Sequence, residues 1–267
     1  MSKLLVQECR HQRSENSFQL HFHNDYELLY VCSGEVRMRI GNDSYAICGP
    51  SLVFISRFEE HAIEILRAPY ERYYAIFCAE TADRLIGDAR LMSVFKNRPS
   101  GFRHCFPCEG LPAAGLLERL LEEYVRPGPY ADEYGACLLR ELLILTYRQD
   151  PGRFPFPEQA VRREIYEVQR YIEAHYAEPL QVAGLAARFY IDPSYLSHRF
   201  KEVTGYSPKQ YIMLNRLSRA RELLISTPLP VGEVAVQTGF SDVNNFIRSF
   251  KRETGLTPAQ YRRPQGR

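Results

Sequence analysis

The sequence predicts an α+β molecule of two domains, a small β-barrel extended by a helical hairpin and then an all-α domain carrying two helix-turn-helix motifs. Three observations predict it. Residues 18–80 alternate short apolar segments with turn formers, a Pro-rich stretch interrupts the chain after residue 149, and the segment at 180–211 recurs at 229–261. A chain of 267 residues is also longer than one minimal core requires.

The barrel reading rests on FQLHFH, YELLYVCSG, VRMRI, YAICGP, LVFIS and HAIEI, which have the length and period of half-buried strands, with Gly41-Asn42-Asp43 as a hairpin signal. These place a β-domain at 1–110. Next, LPAAGLLERLLEEYV and YADEYGACLLRELLILTYR space leucine as helices do and are separated by Arg126-Pro127-Gly128-Pro129, which predicts a helical hairpin over 111–149. Leu116, Leu117, Leu120 and Leu121 with Leu138, Leu139, Leu142 and Leu143 are expected to fill its core and to serve as a self-association seam. The linker is placed at 150–158, where Pro151, Pro155 and Pro157 remove donors and bias their predecessors toward extended backbone. The all-α domain then occupies 159–267.

Charge divides along the same boundary. Residues 161–267 hold 16 Lys/Arg against 10 Asp/Glu, and the first 160 hold 18 against 22, the asymmetry of a nucleic-acid-binding domain joined to an unrelated one. The seven cysteines are odd in number and scattered, unlike a disulfide framework, and Cys105-Phe106-Pro107-Cys108 lacks the second pair of a zinc site. The N-terminal MSKLLVQECRHQRSENS lacks the apolar core of a secretory signal, and no window reaches the length of a membrane span. A cytoplasmic protein with no membrane partner is expected.

Within the repeat, matching residues lie 49 apart at first (Ala186 and Ala235) and 50 apart later (Phe200 and Phe250, Gly205 and Gly255, Pro208 and Pro258). Each copy reads as a short helix with a small residue at mid-face, a tight turn, and a second helix opening at a capping residue. Asp192 with Pro193 opens one, and Ser241 or Asp242 after Gly239 the other. A small alanine and a short turn allow the steep crossing that presents the second helix to a major groove. Between the copies, Ser207-Pro208 starts a helix to about Leu224 or Ser226, roughly 27 Å long at 1.5 Å per residue, close to the ~34 Å between successive major-groove faces.

On LAARFYIDPSYLSHRFKEVTGYSPKQYI, NRLSRARELLIST and VGEVAVQTGFSDVNNFIRSFKRETGLTPAQYR, residues 164–262 closely resemble the C-terminal domain of AraC/XylS-type transcription regulators. The resemblance implies double-stranded DNA as partner and base reading by the exposed residues of each second helix. Those are Ser194, Ser197 and His198 in the first copy and Asn244 and Arg248 in the second, where arginine suits guanine and asparagine adenine. Tyr195, Arg199, Lys201, Asn245 and Lys251 are the expected phosphate contacts. It further implies a homodimer, and RNA polymerase as a partner if the chain activates.

In the first half, His21, His23 and Glu27, then Gly34, Gly49-Pro50 and His61, resemble the two motifs of a cupin barrel, which makes the domain a cupin-like sensor. In cupin enzymes such residues hold a transition metal. Here the glycine before the first histidine is missing, and Ser56-Arg57-Phe58 stands where a Pro-Gly pair belongs. The reading adopted is therefore a small-molecule effector, a sugar or other metabolite, held by His21, His23, Glu27, Arg37, Arg39 and His61, with no metal, no cofactor and no catalytic residue. The alternatives are a metal-dependent cupin enzyme with a DNA-binding tail, and a barrel that only dimerises.

Overall fold

The computed structural model describes residues 4–99, 101–155 and 160–262. They form two compact units, Met1–Phe156 and Pro157–Arg267.

In the first unit one seven-stranded sheet curls around an apolar interior. Its strands are β1 (Val6–Ser14), β2 (Phe18–His21), β3 (Tyr26–Ile40), β4 (Asp43–Cys48), β5 (Ser51–Ile55), β6 (His61–Phe77) and β7 (Cys105–Pro107). The backbone order is β1-β6-β3-β5-β7, with β2 also on β6 and β4 also on β3. Two long strands do the curling. The first half of β3 pairs with β5 and the end of β6, and its second half pairs with β4 and the start of β6. The register between β3 and β6 shifts around Ser33 and Glu35, a bulge that re-aims both strands. Gly34 sits in that bulge at φ +96°, where a Cβ would come within 2.8 Å of the Pro69 carbonyl oxygen. No other residue fits there.

Strand parity sorts the side chains. Leu29, Val31, Val36, Met38, Ile40, Ile63 and Tyr70 fill the interior, and Leu28, Phe54 and Phe77 face outward into a second apolar layer. Helices cover that outer layer: α1 (Ala79–Ile86), α2 (Ser93–Lys96), α3 (Ala113–Val125) and α4 (Ala131–Gln149). Seven of the eight hairpin leucines are buried in this layer, and Leu121 packs partly against it. These leucines therefore fill the core expected of them. The first part of the segment expected as linker packs on the first unit instead of standing free. Pro151–Arg153 forms a 3-10 turn, Phe154 is buried, and Asn97 Nδ2 and Arg153 Nη1 bond the Pro155 and Cys105 carbonyls. The chain is thus pinned to the first unit through residue 155; 156–159 lie outside the described residues.

The second unit is all helix: α5 (Ala160–His175), α6 (Val182–Arg188), α7 (Pro193–Thr204), α8 (Pro208–Ser226), α9 (Val231–Gln237), α10 (Val243–Thr254) and α11 (Pro258–Arg262). Among the described residues, no helix is long and apolar enough to cross a membrane. The predicted caps are in place. The Asp192 carboxylate accepts from the Ser194 and Tyr195 amides, Asp242 accepts from Asn244, and Ser207 with Gln210 closes a capping box. Thr257 and Gln260 repeat that exchange at α11. Ala186, Ala235, Leu196, Phe200, Phe246 and Phe250 are completely buried, so each helix pair crosses on its small residue and anchors on its phenylalanines.

Candidate functional site

The DNA-facing candidates follow from how α7 and α10 are held. Burying Leu196 and Phe200, or Phe246 and Phe250, turns the opposite side of each helix to solvent. On α10, Asn244, Asn245, Arg248 and Lys251 are all exposed; on α7, Ser194, His198 and Lys201 are exposed and Tyr195, Ser197 and Arg199 half-buried. The side chains differ in how free they are. No hydrogen bond or ion pair within the described residues engages the Arg248 guanidinium or the Asn244 side-chain amide. By contrast, Ser197 Oγ donates to the Pro193 carbonyl at 2.8 Å, and Arg199 Nη1 lies 2.6 Å from the Glu202 carboxylate. Asn245 Oδ1 accepts from Ser249 at 3.4 Å.

The turns differ as well. Tyr190 and Gly239, 49 residues apart, occupy the same place in the two copies, and both have positive φ, +56° and +86°. Tyr190 is 97% exposed, so its side chain meets nothing. A Cβ on Gly239 would lie 2.7 Å from the Ala177 carbonyl oxygen, so the second turn admits glycine alone. Tyr190 was not legible as a turn residue, because a bulky residue in the left-handed region is rare.

In the barrel, β2 ends at His21 directly opposite His61 on β6, and the 22–25 loop brings His23 beside Glu27 at the start of β3. The His21 and His61 rings lie 4.2 Å apart, and those of His23 and His61 5.3 Å. Glu27 and His61 are buried, His23 is partly buried and His21 is exposed. His23 Nε2 is 2.9 Å from Glu27 Oε2; His61 Nε2 is 3.1 Å from the same oxygen but is not aligned to donate to it. Burial works to raise the Glu27 carboxyl, yet the two histidines outweigh it and hold it well below the usual carboxylate range. Burial and the nearby His61 push His21 down.

Arg37 and Arg39 do not join this group. They alternate with the interior Val36, Met38 and Ile40 and stand on the outer face, where Arg37 pairs with Glu64 at 2.6 Å. The interior cation is one that sequence reasoning missed. Arg72 is buried under Phe18, 3.9 Å from its ring, and donates through Nη2 to Gln12 at 3.1 Å. Among the described residues, its Nε and the buried Tyr70 hydroxyl have no hydrogen-bond partner. The signal was weak: ERYYAIF reads as one more apolar strand, and only its register on β3, Val31 opposite Arg72, turns the guanidinium inward.

Cys105 and Cys108 are free thiols, and burial pushes the second up to about 12, which suits neither redox exchange nor ready metal binding. A second buried network steadies the turn before His61. The Glu59 carboxylate takes the Ser56 amide at 2.6 Å, His104 at 3.0 Å and the Arg98 guanidinium, and Tyr45 bonds the other His104 nitrogen at 2.9 Å.

Two helix-turn-helix units in one domain, joined to a barrel with a polar cluster in its apolar interior, define a DNA-binding transcription regulator with a ligand-binding domain. Residues 4–143 match the AraC-like ligand binding domain and residues 185–264 a helix-turn-helix domain. The chain belongs to the AraC family of transcription regulators. It is 27% identical over 253 residues to the HTH-type transcriptional regulator YfiF of Bacillus subtilis, covering 91% of this chain and 78% of that one. Against the transcriptional activator RhaR of Pectobacterium atrosepticum it is 26% identical over 250 residues, 92% and 86% of the two chains. The fold is that of ToxT from Vibrio cholerae, with a TM-score of 0.63 at 16% identity over 97% of this chain and 98% of that one.

Proposed function

We propose that the chain reads double-stranded DNA with α7 and α10 in successive major grooves, and that a small organic effector in the barrel controls it. The observation that carries the DNA reading is the α10 face. The Asn244 and Arg248 side chains stand exposed, and unengaged among the described residues, on a helix whose other side is fixed by Phe246 and Phe250. Arg248 donates two hydrogen bonds to guanine and Asn244 pairs with adenine, while Ser194, Ser197 and His198 read more permissively from α7. Lys201, Lys251, Tyr195 and Asn245 hold phosphates, and Arg199 joins them by exchanging Glu202 for a phosphate oxygen. The 19 residues of α8 span about 28 Å, close to one helical repeat of DNA.

For the effector, support comes from the buried Arg72 Nε and Tyr70 hydroxyl. Each unpaired polar atom costs about 1–3 kcal/mol, which a ligand carrying an acceptor group relieves. One ToxT structure is bound to an unsaturated fatty acid, a ligand of that kind. The relatives are named as transcription regulators, and the proposal gives the barrel a sensing role in the cytoplasm, without catalysis.

Selection of bound duplexes from a random pool tests the DNA reading. The expected product is a motif of two half-sites centred about 10 base pairs apart, one per helix-turn-helix. Duplexes recovered with no common sequence overturn it.

A further inference from the structure

The three barrel histidines share a feature that hydrogen-bond chemistry makes diagnostic. His21 Nδ1 lies 2.9 Å from the Gln19 carbonyl oxygen, His23 Nδ1 2.7 Å from that of Asp25, and His61 Nδ1 2.9 Å from that of Glu59. A carbonyl oxygen only accepts, so all three Nδ1 atoms carry a proton; Glu27 takes His23 Nε2, and Nε2 of His21 and His61 are left for something else. That is how metal-ligating histidines are oriented, with the second ring nitrogen tied to a backbone carbonyl.

The Nε2 atoms of His23 and His61 turn toward one carboxylate. For His61, which is 2% exposed, Nε2 sits 3.1 Å from Glu27 Oε2 and has no hydrogen-bond partner among the described residues. A buried nitrogen left unpaired is costly, and a cation shared with the carboxylate satisfies it. His21, Glu27 and His61 each offer one donor atom, and the three atoms lie within 4.8 Å of one another. Donors around a first-row ion, with bonds of about 2.1 Å, stand about 3–4 Å apart, so a shift on the order of an ångström closes the shell. We propose that the barrel binds a divalent first-row transition metal through His21 Nε2, His61 Nε2 and the Glu27 carboxylate. His23, hydrogen-bonded to that carboxylate, steers it, and three protein donors leave positions open for an oxygen-bearing ligand.

The two departures from the cupin pattern do not touch this donor set. Phe58 stands in the turn where the pattern has a Pro-Gly pair, yet it takes φ +67° and bends the chain as a glycine does. Its amide donates to the His23 carbonyl at 2.8 Å, and the Arg57 guanidinium bonds the Asn24 side chain at 2.8 Å, stitching the turn to the loop that carries His23. The second departure falls on a bend, and that bend forms. The inference thus goes beyond the organic effector assigned above, which uses Arg72. Arg72 lies opposite Val31, four residues along β3 from Glu27 or about 13 Å at 3.3 Å per residue.

The test is calorimetric titration of chelator-treated full-length protein with Zn²⁺, and with Co²⁺ followed by its visible absorption. One equivalent per chain is expected, with a rise in Tm on adding metal. His61→Gln and His21→Gln weaken binding more than about 100-fold, and His23→Gln by about 10–100-fold. His21 is exposed, so its variant keeps the fold even where a buried substitution does not; circular dichroism verifies this. Cys105→Ser with Cys108→Ser leaves the stoichiometry at one. Wild-type affinity no tighter than that of folded His21→Gln, or binding lost with the cysteines, overturns the proposal. No DNA enters the measurement, so its failure leaves the operator reading standing.

Discussion

Arg248 and His198 are counterparts fifty residues apart, and both stand exposed on their helices. The guanidinium can donate twice in one plane to a guanine edge; the imidazole cannot. Arg248→Ala is therefore expected to weaken binding to a selected site by about 1–3 kcal/mol and to relax preference at one base pair, as measured by fluorescence anisotropy against single-base variants. An equal loss on every sequence would move Arg248 to the phosphate contacts. At this scale the sequence was legible wherever parity or capping decides a side chain's direction. Alternation with Val36, Met38 and Ile40 already pointed Arg37 and Arg39 outward, and Asp192 with Pro193 was a cap on sight. It was not legible where strands met across the barrel: Arg72 faces inward only because of its register on β3, and the tautomers of His21, His23 and His61 depend on carbonyls that the fold delivers.

Among elements, the ends of the capped helices were legible and the extents of the strands were not. The boundaries of α7 and α8 follow from Asp192-Pro193 and Ser207-Pro208, local chemistry that needs no distant partner. The YELLYVCSG and VRMRI segments merged into the single strand β3, because Gly34 lets the backbone pass the bulge without ending the ladder. Val6–Ser14 went unread as a strand, its half-buried residues following the edge of β6 rather than a clean alternation. The α9–α10 turn is the most constrained connection described. With 2.7 Å between a notional Cβ and the Ala177 carbonyl oxygen, Gly239→Ala is expected to destabilise the protein by more than about 1 kcal/mol in thermal or urea unfolding. At exposed Tyr190, substitution by glycine should change stability by less than about 1 kcal/mol. Equal effects at the two turns would mean that the Ala177 contact yields cheaply.

For the molecule as a whole, the two units each bury their own core, which predicts that residues 158–267 fold and bind DNA alone. The logarithm of the fragment's affinity should fall linearly with the logarithm of salt concentration, by roughly 0.9 per phosphate neutralised, and Lys251→Ala should lower that slope by about one. A salt-independent affinity would remove the backbone contacts from the account. The division into a β-rich half and a helical half was legible in the charge balance and the repeat.

Inside the helical unit one small segment has mechanical weight. The 176–178 backbone, at the foot of α5, is gripped by the Arg216 guanidinium, which donates to the Tyr176 and Glu178 carbonyls at 2.7 Å, and is pressed by Gly239 from the second repeat. The foot of α5 is therefore one bearing on which the spacer helix and the turn of the second repeat both rest.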